Sequence, residues 1–189
     1  MIRIAIVGSI GSGKTFLSNL FGYPVFNADE SVSKIYSKNK KIFYKLKKKL
    51  PKFFTNPPVK KEELIKAIVE NKNNLNIISK TVHPEVRKDL QKFIKKHNKK
   101  KAIVLDIPLL LENKLSKKKD VIIFVQSPNK EVVKRLKKRK NFNNLVFQQL
   151  KKIQLPLYIK KKHSHYVIKN NFKRDSVRKN VKDILNKIL

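Results

Sequence analysis

Hydrophobic positions fall along this chain in two rhythms that alternate. Short apolar runs without a breaker read as strands: Ile2, Ile4, Ile6 and Val7 first, then Tyr23 to Asn27, Ala102-Ile103-Val104-Leu105 running into Asp106, Val121 to Val125, and finally Tyr166-Val167-Ile168. Elsewhere the apolar residues take helical spacing, as in Phe16, Leu17, Leu20 and Phe21, in Val132, Val133 and Leu136, and in the closing set Val177, Val181, Ile184, Leu185 and Ile188. Strand followed by helix, repeated, predicts an α/β domain on a parallel sheet. The stretch from about Ser31 to Asn98 interrupts that alternation. It is lysine-rich, with breakers at Pro51 and Asn56-Pro57-Pro58, and predicts helices near 31–50, 60–70 and 73–97, the middle one resting on Leu64, Ile65, Ile68 and Val69.

A length of 189 residues suits one domain carrying an insertion and is enough to bury a core. With no cysteine, disulfides, zinc–thiolate sites and thiol catalysis drop out together. No apolar run approaches a membrane span and the first residues enter a strand with no basic leader, so the expectation is a cytoplasmic protein with no membrane partner. Charge changes the picture more, because 47 Lys and Arg against 13 Asp and Glu give a formal net charge of +34. These bases are mostly lysine and are spread over nearly every predicted helix, whereas a nucleic-acid surface gathers arginine and aromatic residues in one patch. The expectation is solvated helix faces and anionic substrates, with no specific nucleic acid as partner.

Candidate chemistry begins at Gly8-Ser9-Ile10-Gly11-Ser12-Gly13-Lys14-Thr15, which fits G-x-x-x-x-G-K-[S/T] and lies between a predicted strand and a predicted helix, as a phosphate-binding loop must. Three of the chain's four glycines are here, where backbone N–H groups have to turn inward on one anion. Lys14 is expected on the β- and γ-phosphates and the Thr15 hydroxyl on Mg²⁺. Asp106, ending the four apolar residues Ala102 to Leu105 in the pattern of a central buried strand, stands where such proteins often help to hold that metal. Asp29 follows the second predicted strand, where parallel sheets place ligands; it equally suits the N-cap of a helix starting near Ser31, and the residues alone leave both readings open. Thr81 to Arg87 place His83, Pro84 and Arg87 at a helix start, where Arg87 serves either a bidentate phosphate contact or plain structure. Arg135 and Arg139, in the helix after the fourth predicted strand, serve either to reach over bound ATP or as plain solvated helix arginines. The segment 141–165, with Gln148, Gln149, Gln154 and Pro156, reads as a mobile cover over the nucleotide. The histidines at 83, 97, 163 and 165 show no metal-ligand spacing.

In order and spacing these pieces resemble the dephospho-coenzyme A kinase family over nearly the whole chain. The family pattern G-G-I-G-S-G-K-[S/T] is met at Gly8 to Thr15, V-I-D-A-D at Val25-Phe26-Asn27-Ala28-Asp29, H-P-x-[V/I]-R at His83 to Arg87, D-x-P-L-L-x-E at Asp106 to Glu112, Q-L-P at Gln154-Leu155-Pro156 and V-I-x-N at Val167 to Asn170. The departures are Asn27, Tyr158, His165 and Lys169, each standing where an acid is usual. The resemblance implies a three-layer, parallel-sheet P-loop NTPase and nucleoside-kinase-like core formed by 1–29, 99–138 and 166–189, a helical CoA-side insertion over 30–98 and a lid over 139–165. It implies ATP as co-substrate with Mg²⁺, and phosphorylation of the ribose 3′-hydroxyl of dephospho-CoA to give coenzyme A. ATP would be held by Gly8, Gly11, Ser12, Gly13, Lys14, Thr15, Phe16 and Asn170, and the metal by Thr15 and Asp106. Asp29 would orient the acceptor and take its proton, with Lys14 and Arg139 as further catalytic groups. His83, Arg87, Glu112 and Asp29 would bind the acceptor. A nucleoside-monophosphate or shikimate-type kinase, or a basic nucleic-acid-binding ATPase, is the alternative expectation, and the sequence fixes no oligomeric state.

Overall fold

The computed structural model describes residues 1–138 and 142–189, and its contacts divide the chain into two compact units. The first comprises Met1–Asn27, Lys96–Phe142 and Lys151–Leu189. It contains a sheet of β1 (Ile2–Gly8), β2 (Val25–Asn27), β3 (Ala102–Asp106), β4 (Val121–Gln126) and β5 (Tyr166–Lys169) in the order β2-β3-β1-β4-β5. Every pairing is parallel, with Ile2 opposite Ala102 and Ile4 opposite Val121. That is why β1, β3 and β4 are near-continuous runs of buried residues and do not alternate: helices cover both faces of a parallel sheet. One face packs Ile4, Ile6, Val104, Ile123 and Val125 against Leu17 and Phe21 of α1 (Lys14–Leu20) and its end, and against Val177, Val181 and Ile184 of α9 (Arg174–Ile188). The apolar stripes seen in the sequence are therefore the seams of this core.

At the opposite end of the sheet, Arg3 Nη2 donates to Asp120 Oδ2 at 3.0 Å, and the Lys117 N–H donates to the same oxygen at 2.8 Å. Burial pushes the Asp120 carboxyl up, and the Lys117 N–H and the Arg3 and Lys117 charges pull it down. The turn that feeds β4 is thus pinned to β1.

The second unit comprises Ala28–Lys95 and Asn143–Leu150. Its main helices are α2 (Ala28–Lys38), α3 (Lys40–Lys49), α4 (Lys61–Glu70) and α5 (Lys72–Lys96), with Ile42, Phe43, Leu46, Phe54, Ala67 and Ile78 among its buried residues. The helix expected over 31–50 is two helices, and the first begins at Ala28. Asn39 makes the break: its Oδ1 accepts the Ile42 N–H at 3.1 Å and caps α3. The motif around Pro84, expected at a helix start, lies inside the 25-residue α5. An interior proline costs about 3 kcal/mol, which the buried stripe Leu75, Ile78, Val82, Val86 and Leu90 offsets. Residues 129–162 add α6 (Asn129–Lys137), α7 (Asn144–Lys152) and α8 (Leu157–Lys162), so the segment expected as a cover carries helices. Among the described residues, no helix is long and apolar enough to cross a membrane.

Candidate active site

The loop from Gly8 to Thr15 carries β1 into α1 at the carboxyl end of the sheet, where parallel α/β proteins bind ligands. Gly11 and Gly13 have φ of 81° and 88°, a left-handed backbone that side chains disfavour. There is also no room for a side chain at Gly13, since a Cβ there would lie 2.5 Å from Asn170 Nδ2. Lys14 Nζ donates to Ser9 O at 2.8 Å and to Gly8 O at 3.4 Å, so the ammonium is curled over the loop and largely buried. Thr15 and Phe16 are exposed on the first turn of α1.

Two side chains just past the ends of β4 and β5 brace this loop. Ser127 Oγ and Asn170 Nδ2 both donate to Ser12 O, at 2.9 and 2.8 Å. Asn170, expected at the nucleotide, thus acts on the loop, and its Oδ1 accepts the Phe172 N–H at 2.9 Å. Phe172 stands at φ 63°, and the Arg135 guanidinium lies 4.4 Å from its ring centroid, so α6 is stacked on the chain that follows β5. Neither Ser127 nor Phe172 carries a sequence signal for this work. The Ser12 hydroxyl is fully buried and has no hydrogen-bond partner among the described residues, which leaves a donor inside the cradle.

Beside the loop, β3 ends on Asp106 and β2 on Asn27. Asp106 Oδ2 accepts from Thr15 Oγ1 at 2.5 Å and from Asn27 Nδ2 at 3.0 Å. Two hard oxygen groups, a hydroxyl from the first turn of α1 and a carboxylate from the end of β3, therefore converge. This donor set fits Mg²⁺, which takes one or two protein oxygens and completes its octahedron with water and substrate phosphates. Among the described residues, no group of three or more His, Cys, Asp or Glu side chains is placed to hold a metal ion. Asn27, one of the departures from the family pattern, supplies an N–H where a second acid would repel Asp106.

Glu112, expected at the acceptor, lies in the turn after β3 and is held inside the first unit. Its Oε1 is 2.7 Å from Lys160 Nζ and accepts the Leu155 N–H at 3.0 Å. His165, another departure, ties the chain entering β5 to β4: its Nδ1 accepts the Ile122 N–H at 3.0 Å and its backbone N–H donates to Ile122 O at 2.8 Å.

Asp29, His83 and Arg87 belong to the helical unit. Asp29 is exposed in the first turn of α2, which begins one residue earlier, so it does not cap a helix starting near Ser31; as a first-turn acid it meets the helix dipole favourably. Behind it, Ser31 Oγ donates to Asp89 Oδ2 at 2.8 Å and ties α2 to α5. His83 and Arg87 are one turn apart on α5. Burial, and then the charge of Arg87, lower the His83 pKa from 6.5, which keeps the imidazole neutral at pH 7. Arg139 lies outside the described residues.

Comparison with known proteins agrees with this geometry. Residues 2–175 match the family model of dephospho-CoA kinase. The dephospho-CoA kinase of Wolbachia pipientis is 32% identical over 98% of this chain and 97% of its own length. That of Bartonella henselae is 29% identical over the same shares. Among solved structures, a Thermus thermophilus protein superposes with a TM-score of 0.80 at 26% identity, covering 100% of this chain and 98% of its own. A shikimate kinase from Acinetobacter baumannii shares the fold, with a TM-score of 0.53 at 15% identity over 100% of this chain and 93% of its own.

Proposed function

Because the chain belongs to the dephospho-CoA kinase family, we propose that it transfers the γ-phosphoryl group of ATP to the ribose 3′-hydroxyl of dephospho-CoA, giving coenzyme A. The observation that carries this reading is the family match over residues 2–175, which takes in both the braced phosphate loop and the Thr15–Asp106 pair. The reading places the reaction in the cytoplasm, where ATP is plentiful.

Each residue's part follows from its chemistry. The loop N–H groups and the Ser12 hydroxyl bind phosphate oxygens. Lys14, released from Ser9 O, sets its charge against the β- and γ-phosphates, where charge shifts during transfer. Thr15 and Asp106 hold Mg²⁺, which neutralises phosphate charge when bound. Asp29 orients the acceptor hydroxyl and takes its proton, and Arg87 binds acceptor phosphates with the neutral His83 beside it as a hydrogen-bonding group. Arg139 adds charge to the transferring group. The transition state of phosphoryl transfer is loose, so placement and charge contribute more than proton removal.

The test is incubation of the protein with ATP, Mg²⁺ and dephospho-CoA, with mass detection of a product heavier by one phosphoryl group. Adenosine, a nucleoside monophosphate and shikimate serve as competing acceptors. Failure to phosphorylate dephospho-CoA, by folded protein that binds ATP, would remove the proposal.

A further inference from the structure

We propose that Glu112 and Lys160 are positioning residues of this transfer, which together fix the core end of the segment that carries α7. The proposal rests on the functional reading above. Glu112 sits in the turn leaving β3, in the stretch that starts from Asp106. That turn is stiffened by Leu110 N–H to Ile107 O at 3.2 Å, Asn113 N–H to Leu109 O at 3.0 Å and Leu115 N–H to Leu110 O at 2.9 Å. Its carboxylate is therefore built rigidly onto the strand that presents Asp106 to Thr15.

Lys160 arrives from the other direction. Residues 143–150 belong to the helical unit and the chain rejoins the core unit at Lys151. After a turn closed by Gln154 N–H to Lys151 O at 3.2 Å, the returning chain meets Glu112 twice. The Leu155 N–H donates to Glu112 Oε1, and one helical turn into α8 the Lys160 ammonium reaches the same oxygen. Lys160 is the first of three successive lysines, yet its side chain is 1% exposed while Lys161 and Lys162 stay in solvent.

Two features argue that the pair sets geometry more than it adds stability. Apolar residues of similar volume often replace a buried ion pair at no cost, so its retention is weak evidence of a stabilising role. The pair is also incompletely satisfied: Glu112 Oε2 is buried and accepts no hydrogen bond among the described residues. One carboxylate oxygen holds the chain entering α8 by the Leu155 N–H bond and by the ion pair to Lys160, and the chain upstream, with the basic end of α7 at Lys151 and Lys152, leaves from that anchored point. Small errors of placement are costly in phosphoryl transfer, where a displacement of about 1 Å can lower the rate roughly 100-fold.

The test compares the parent, Glu112→Gln, and the double variant Glu112→Gln with Lys160→Met. The single change keeps the Leu155 contact but leaves a buried ammonium unpaired, and the double change removes both charges. Melting temperature, ATP affinity, CoA formed and ATP hydrolysed are measured for each, with rates expressed per mole of ATP-binding protein. The double variant is expected to melt near the parent and to bind ATP within about twofold. Its kcat for CoA formation should fall by roughly tenfold or more, with more ATP hydrolysed per CoA formed. Parental turnover and coupling in the double variant would overturn the proposal, and so would a double variant that does not fold, since the pair would then serve the fold itself. A parent that makes no CoA would remove the functional reading and this inference together, whereas a fully active double variant removes this inference alone.

Discussion

Replacing Gly13 by alanine tests how tightly the phosphate loop is built. Gly13 has φ 88°, and an alanine forced into the left-handed region costs roughly 1–2 kcal/mol in backbone strain. Its Cβ would lie 2.5 Å from Asn170 Nδ2, closer than real contacts allow, and that nitrogen belongs to a buried side chain already bonded to Ser12 O. Moving it lengthens or breaks that bond, for about a further 1 kcal/mol. The sum is about 2–3 kcal/mol, and ATP affinity should fall because the carbonyl that sets the loop's curvature loses one of its two braces. Urea denaturation gives the stability change and titration calorimetry the affinity. A double-mutant cycle with Asn170→Ala isolates the clash: with the amide gone the steric part disappears and the strain remains, so the two changes should be non-additive by about 1 kcal/mol. A Gly13→Ala variant within about 0.5 kcal/mol of the parent, or strict additivity with Asn170→Ala, would refute this account of the loop.

Lys14→Ala should lower kcat on the order of 10²-fold or more, since it removes a preorganised charge from the shifting phosphates; steady-state turnover near the parental value would show that the loop is not the catalytic nucleotide site. Asp29→Asn should cut turnover by about 10²-fold, at the low end for a general base, while the melting temperature changes little because the substitution keeps the size of an exposed first-turn side chain; unchanged turnover at saturating acceptor would show that Asp29 takes no part in the transfer. The His83 pKa is lowered from 6.5 in the folded chain, so the unfolded chain binds a proton that the folded one refuses. That part of the stability is present above about pH 6.5 and is lost as pH falls through the folded value, so His83→Gln should flatten the fall in melting temperature on acidification, and identical slopes in both proteins would contradict it.

Much of the core was legible because its physics is local. The five strands could be read because a parallel sheet buried on both faces demands unbroken apolar runs, and the phosphate loop because left-handed turns demand glycine. The helical block was less so, for Asn39 is one asparagine among many and nothing nearby marks it as the cap that splits α2 from α3. Pro84 misled for the opposite reason, since its local rule is strong but yields to the buried stripe of α5. The parts of Asn170, Ser127 and Lys160 could not be read locally at all. Asn170 meets Ser12 across most of the chain, and Lys160 looks like its two exposed neighbours until α8 turns it inward onto Glu112.

The strand order has a consequence for how the protein comes into being. β1 is made first but stands in the middle of the sheet, with Ile2 paired to Ala102 and Ile4 to Val121. On a ribosome it must wait for about a hundred residues before either neighbour exists, while α2 to α5 can form from contacts close in sequence. The loop that β1 feeds waits longer still, because its brace at Asn170 lies 158 residues beyond Ser12. A nascent chain therefore has no finished phosphate cradle until Asn170 has been made, and nucleotide binding waits for it. Any ligand-driven gain in stability thus arrives after the slow search for β1's partners is over, and during that search an apolar strand is left to chaperones.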